Sequence, residues 1–176
     1  MTEGRRANAE GVDSTEDWLH TLCMTLTKLL LPDLVLVKKP CATKNELISM
    51  LVDQIYRTGR EPPLPPIEML KKITIREEIG GTLLPSGLSV PHARLPDYEG
   101  FILALATPAE PLFHEGLQIH LMAMMISSQS GGPWYLSSLA ALTKISKEKE
   151  YLSRLCGAEN TEDFISILKE RDTELA

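Results

Sequence analysis

Residues 117 to 127 constrain the possible fold more than any other stretch of this chain. Leu117, Ile119 and Leu121 alternate with Gln118 and His120, and from Ala123 to Ile126 the run is apolar on both faces. Alternation predicts a strand with one buried face, and continuous apolarity predicts one buried on both. Such a strand belongs in the middle of a sheet with helices on each side. Phe101 to Thr107 is a second strand candidate. Leu34 to Val37 and Leu88 to Val90 are shorter ones, the latter running into Pro91 and His92.

Helical signals lie between and around these strands. Ser14 with Asp17 reads as a cap, followed at helical spacing by Trp18, Leu19, Leu22, Leu26, Leu29 and Leu30 until Pro32 stops the pattern. Thr43 with Glu46 is a capping box that opens a helix striped by Leu47, Ile48, Leu51, Val52 and Ile55, with Gly59 at its end. A proline-rich linker follows, and Pro66 suits the first turn of a helix continuing to Arg76. After the loop Ser130 to Pro133, a helix begins near Trp134 or Tyr135 with Leu136, Leu139, Ala140 and Thr143 on one face. Glu148 to Leu155 is another helix. The last, Phe164 to Glu170, is capped by Asn160 or Thr161. Strands interleaved with helices mean an α/β protein. With 28 Leu against 5 Val, its core leans on Leu-rich helices.

The 176 residues suffice for one domain. Residues 1 to 13 are polar and mixed in charge, so they read as a mobile tail before a domain over 14 to 176. The net charge of −6, with no run of Lys or Arg longer than two, lacks the electrostatic footprint of a nucleic-acid binder. Cys23, Cys41 and Cys156 are too few and too scattered for a disulfide framework or a zinc site, and their odd count fits a reducing compartment. The start has no apolar core and so no secretory signal. The longest nearly apolar stretch, Phe101 to Phe113, is interrupted by Pro108, Glu110 and Pro111 and falls short of the ~20 residues that span a bilayer. The expected location is cytoplasmic, with no metal and no cofactor.

Familiar catalytic signatures are missing: no phosphate loop ending in Gly-Lys-Ser/Thr, no dinucleotide fingerprint, no His-Glu-x-x-His and no nucleophile elbow. What remains is the run Arg76 to Arg94, REEIGGTLLPSGLSVPHAR. Proline cannot continue a central ladder, so His92 is expected to emerge where the sheet stops, and strand ends are where α/β sheets commonly bind ligands. A neutral imidazole, with its pKa of ~6.5, is a good nucleophile toward phosphorus near neutral pH. Phosphoryl transfer further needs cations and hydrogen-bond donors around three charged oxygens. One His, one or two Arg and a hydroxyl form a minimal phosphohistidine site. On the residues alone a second reading stands beside it, in which His92 caps a turn and Arg76 and Arg94 are solvated.

This run resembles the active-site signature of enzyme IIA domains of the bacterial phosphotransferase system, in the fructose–mannitol class. Arg76, Glu77, Thr82, Gly87, Val90, Pro91, His92, Ala93 and Arg94 stand in register with that signature, and the resemblance extends over roughly Leu19 to Arg171. It implies a single-domain sandwich with a mixed central sheet flanked by helices. It also implies that His92 accepts a phosphoryl group from the phosphocarrier protein HPr, with Arg76 as the stabilising cation and Thr82 as a supporting hydroxyl. Arg94, Tyr135 and Glu77 are further candidates for support. The partner after HPr would be a IIB domain in a sugar transporter, or a target protein in the nitrogen-regulatory branch. No membrane segment or IIB-like cysteine motif accompanies the domain here, which favours regulation. The alternatives are a stand-alone IIA of a fructose- or mannitol-type transporter and a degenerate binding module that no longer relays phosphate.

One position departs from the family. A second histidine usually opens the helix after the last strand, and the corresponding stretch here is Pro133-Trp134-Tyr135-Leu136. Tyr135 can donate one hydrogen bond but cannot become cationic near neutrality. The other candidates read as structural: His120 on a strand face, His114 in a turn near Gly116, and Met122, Met124 and Met125 in the core. Trp134 is either a partner anchor or a staple at the helix start.

Overall fold

A computed structural model describes residues 26–174. The N-terminal tail and the cap and first turns of the opening helix, from Ser14 through Trp18, Leu19, Leu22 and Cys23, lie outside the described residues. Leu26 to Leu29 form the helical turn that precedes Pro32, and Leu26 and Leu30 are both buried.

Seven strands are described: β1 (Val35–Lys39), β2 (Leu88–Ser89), β3 (His92–Leu95), β4 (Phe101–Pro108), β5 (Leu112–His114), β6 (Leu117–Ile119) and β7 (Leu121–Ser128). The helices are α1 (Lys44–Arg57), α2 (Pro66–Ile79), α3 (Gly132–Lys147), α4 (Lys149–Gly157) and α5 (Thr161–Glu174). β1 pairs parallel with β4, β4 antiparallel with β7, and β7 parallel with both β2 and β3. The sheet is therefore mixed. β7 lies inside it, buried along seven of its eight residues, as its apolar run requires.

The sheet divides the core by strand parity. Leu121, Ala123 and Met125 of β7, with Leu103 and Leu105 of β4, pack against Leu142 and Ile145 of α3, Leu152 and Leu155 of α4, and Phe164 of α5. Met122, Met124 and Ile126, with Ile102, Ala104 and Ala106, pack against the α1 stripe and against Met69 and Ile73 of α2. The fold is a sandwich with a helical layer on each face. No helix among the described residues is long and apolar enough to cross a membrane.

The capping signals act as expected, with one variation. Thr43 accepts a hydrogen bond from the Glu46 N–H, but the Glu46 carboxylate reaches back one residue further, to the Ala42 N–H at 2.7 Å. Asn160 caps α5 by accepting from the Asp163 N–H.

Four expectations need correction. Leu117 to Ser127 is two strands, β6 and β7, separated at His120. β6 turns back onto β5 through Glu115 and Gly116, both at positive φ as tight hairpin turns demand. His114 accordingly ends a strand instead of lying in the turn, and His120 sits at the break between strands. On α3 the buried face is Tyr135, Ser138, Ala141, Leu142 and Ile145, one position from the expected stripe, and Leu136 is 65% exposed. The stripe was set by leucines, whereas an aromatic ring and a small serine are what the sheet accommodates there.

The fourth correction concerns the sheet at His92. It does not stop there: Leu88 opposes Leu121 and His92 opposes Met125, so β2 and β3 keep one register across the gap. Pro91 lacks the N–H but its carbonyl still accepts from Met125 N at 3.1 Å. His92 thus opens the second half of an interrupted edge strand.

Candidate functional site

The even-numbered residues Leu88 and Val90 point into the core on the α3 side, and the unbroken register sends His92 and Arg94 to the same side. There the ring of Tyr135 meets the imidazole edge-on, with centroids 5.8 Å apart, and the Arg94 guanidinium lies 4.9 Å from the centre of the Tyr135 ring. The loop that delivers Tyr135 turns at Gly131 (φ 80°), a conformation glycine adopts without strain. A cleft of about 930 Å³ opens between α2 and β3. Arg76, His92 and Arg94 line it together with Lys71 and Lys72, and Leu64, Ile75 and Ile79 supply apolar wall. Three of the sequence candidates therefore share one cavity, and Tyr135 braces two of them.

The imidazole is oriented by its own strand. His92 Nδ1 lies 3.1 Å from the Val90 carbonyl oxygen, which can only accept, so Nδ1 carries the proton and Nε2 keeps its lone pair. The His92 pKa is lowered from its ordinary 6.5, first by burial and then by the positive charges of Arg76 and Arg94, against the opposing Val90 hydrogen bond and the Glu77 charge. The folded chain thus binds this proton less readily than the unfolded one. The advantage of the neutral imidazole is full above about pH 6.5 and is lost as pH falls below it. A ring-proton NMR titration of His92 is expected to show a midpoint below 6.5, and a midpoint above 6.5 would contradict this electrostatic picture.

Glu77 and Thr82 stand behind the cleft wall. The Thr82 hydroxyl donates to Glu77 Oε1 at 2.6 Å, and the Thr82 carbonyl accepts from Val90 N at 3.2 Å. Arg76 donates through one guanidinium nitrogen to the Gly80 carbonyl at 2.7 Å, bracing the turn after α2. Sequence reasoning missed Lys44, whose Nζ lies 2.5 Å from Glu77 Oε2. A signal existed. A cation at the first position of a helix opposes the helix dipole, so a lysine there implies a partner elsewhere.

Among the described residues no group of three or more His, Cys, Asp or Glu side chains could hold a metal ion. Cys41 and Cys156 are free thiols, and burial pushes that of Cys156 up to about 11. What the cleft offers is a neutral imidazole with an available lone pair beside two guanidinium groups, an arrangement suited to receiving an anionic phosphoryl group.

Residues 28–171 match the family model for the phosphoenolpyruvate-dependent sugar phosphotransferase system, EIIA 2. Over 155 residues the chain is 26% identical to the 2-O-alpha-mannosyl-D-glycerate-specific EIIABC component of Escherichia coli K12, covering 85% of this chain but only 23% of that protein. It is 21% identical over 148 residues to a nitrogen regulatory protein of Bradyrhizobium diazoefficiens, covering 82% of this chain and 95% of that one. Among solved structures, the nitrogen regulatory protein IIA-Ntr of Neisseria meningitidis superposes with a TM-score of 0.70 at 18% identity, over 81% of this chain and 98% of that one. IIA mannitol of Escherichia coli gives 0.63 at 18% identity, over 79% and 98%. It is the fold that these two structures share with the chain.

Proposed function

The chain belongs to the EIIA 2 family of the phosphoenolpyruvate-dependent sugar phosphotransferase system, and we propose that it is a phosphocarrier in which His92 accepts a phosphoryl group from HPr. The observation that carries this reading is the hydrogen bond from Nδ1 to the Val90 carbonyl, which leaves Nε2 as the nucleophile in a cleft bearing Arg76 and Arg94. In the transfer, the Nε2 lone pair forms the new P–N bond. The bond from phosphorus to the donor breaks, and its electron pair leaves on the donor. Arg76 and Arg94 hold the equatorial oxygens. Glu77 and Thr82 support the site from behind. The test is incubation with phosphoenolpyruvate, enzyme I and HPr, in which the chain should gain one acid-labile, base-stable phosphate. No incorporation would favour a binding module that has kept the fold and lost the relay.

A regulatory role is the preferred branch. The chain aligns with 95% of the nitrogen regulatory protein's length and with 23% of the mannosylglycerate component. A solved complex joins Escherichia coli IIA mannitol to phosphorylated IIB mannitol, so a IIB domain is the partner that would mark the transport branch. Regulation predicts that phosphorylated chain keeps its label when IIB mannitol is added; rapid loss of label to that domain would assign it to uptake.

Tyr135 separates these behaviours chemically. Its ring braces His92 and Arg94, and its hydroxyl can add one neutral hydrogen bond to a phosphoryl oxygen, worth about 1 kcal/mol. Tyr135→Phe keeps the ring and should slow labelling no more than about fivefold. Tyr135→His restores a group that can become cationic and should speed it. Identical rates in all three proteins would show that residue 135 does not reach the phosphoryl group.

A further inference from the structure

Lys44 is a buried cation for which the transfer reaction above has no use. Its side chain is 3% exposed, and that of its partner Glu77 is 7% exposed. A buried ion pair is weak evidence of stabilisation, because desolvation offsets much of the attraction. This pair is, however, the start of a continuous series of contacts that ends on the candidate nucleophile. Lys44 Nζ meets Glu77 Oε2 at 2.5 Å, and Glu77 Oε1 accepts the Thr82 hydroxyl at 2.6 Å. The Thr82 carbonyl accepts the Val90 N–H, and the Val90 carbonyl accepts Nδ1–H of His92. The series crosses from side chain to backbone at Thr82 and passes the Cα of Val90, so what it transmits to the imidazole is position.

The same pair governs Arg76, the residue immediately before Glu77. A buried carboxylate without a partner takes the nearest cation or a proton. With Lys44 present, Glu77 is satisfied, and the Arg76 guanidinium remains on the Gly80 carbonyl and in the cleft. We propose that Lys44, Glu77 and Thr82 form a positioning unit that fixes the tautomer and orientation of His92 and keeps Arg76 at the cleft. The inference rests on the phosphocarrier reading for its kinetic consequence, but not for its effect on the imidazole. Lys44 is a positioning residue: it acts through Glu77 and touches no reacting atom.

The experiment compares the full chain with Lys44→Met, Lys44→Met/Glu77→Gln and Thr82→Val, by single-turnover labelling from phospho-HPr and by 15N NMR of the histidine ring. Lys44→Met strands the carboxylate. It should lower the rate at saturating donor at least tenfold with KM within twofold, and move the His92 ring nitrogens away from the Nδ1–H pattern. Adding Glu77→Gln removes the stranded charge while leaving an acceptor for Thr82, and should recover part of the loss in both readouts; a double variant as impaired as Lys44→Met would overturn the stranded-charge account. If Lys44→Met does not fold, Thr82→Val cuts the series at its next link and should shift the ring nitrogens in the same direction. Folded Lys44→Met or Thr82→Val with unchanged ring signals and rate would overturn the proposal. An unmodified chain that takes no phosphate, with ring signals that still respond, would overturn the phosphocarrier reading and leave the positioning unit standing.

Discussion

His92→Gln should leave a folded protein that takes no phosphate from HPr. The glutamine amide can still donate to the Val90 carbonyl, where Nδ1 of His92 does so at 3.1 Å, so the strand break at Pro91 keeps its side-chain support. No other histidine lines the cleft. Of its other polar residues, Lys71, Lys72, Arg76 and Arg94 bring positive charge, Gln129 is a poor nucleophile, and a phosphate on the Glu68 carboxylate would be a base-labile acyl phosphate, unlike one on an imidazole. The expected melting temperature lies within a few degrees of the original, since His92 is half-buried at an edge strand and its neighbours Ala93 and Leu95 carry the core contacts. Intact-mass analysis after incubation reads the effect as complete loss of the added phosphate.

Arg76→Lys is the second large effect. The guanidinium does two things at once. One nitrogen holds the Gly80 carbonyl at 2.7 Å, while the rest of the planar fork is available to the cleft. A lysine ammonium is a point donor on a flexible stem and cannot serve both positions. Phosphorylation should slow by at least ~10-fold, or about 1.4 kcal/mol of transition-state stabilisation. Stability should change by no more than about 1 kcal/mol, the net worth of one hydrogen bond to a backbone carbonyl. Single-turnover labelling and thermal unfolding separate the two contributions. A large drop in melting temperature with an unchanged rate would make Arg76 a clamp on the α2 turn and nothing more.

Much of this site could be read from the residues because its chemistry is local in sequence. Arg76, His92 and Arg94 fall within nineteen residues, and the strand that carries two of them sends every second side chain to one face. The central strand was legible for the same reason: β7 has no polar residue between Leu121 and Ile126. Lys44 was harder to read: its place at the start of a helix hints at a partner, but that partner lies 33 residues further on, in another helix. The continuation of the sheet past Pro91 was hidden by a rule that is correct about the missing donor but silent about the carbonyl, which still accepts from Met125. On α3, counting leucines chose Leu136 over Tyr135. The ring is buried in the apolar core on that side of the sheet and touches His92 and Arg94, long-range contacts that no helical periodicity encodes. Of the β5–β6 hairpin, Leu117 and Ile119 show in the alternation but run on in sequence into β7 without a visible break, and the three residues of β5 are too few to show a pattern of their own.

The site of the phosphate on the unmodified protein tests the central claim most directly. The chain, labelled with 15N in its histidine rings, is phosphorylated from phosphoenolpyruvate through enzyme I and HPr, and the ring nitrogens are assigned by NMR. The hydrogen bond from Nδ1 to the Val90 carbonyl predicts phosphate on Nε2 of His92, with the Nδ1 proton retained. Phosphate on Nδ1, on His114 or His120, or on no residue at all would contradict it.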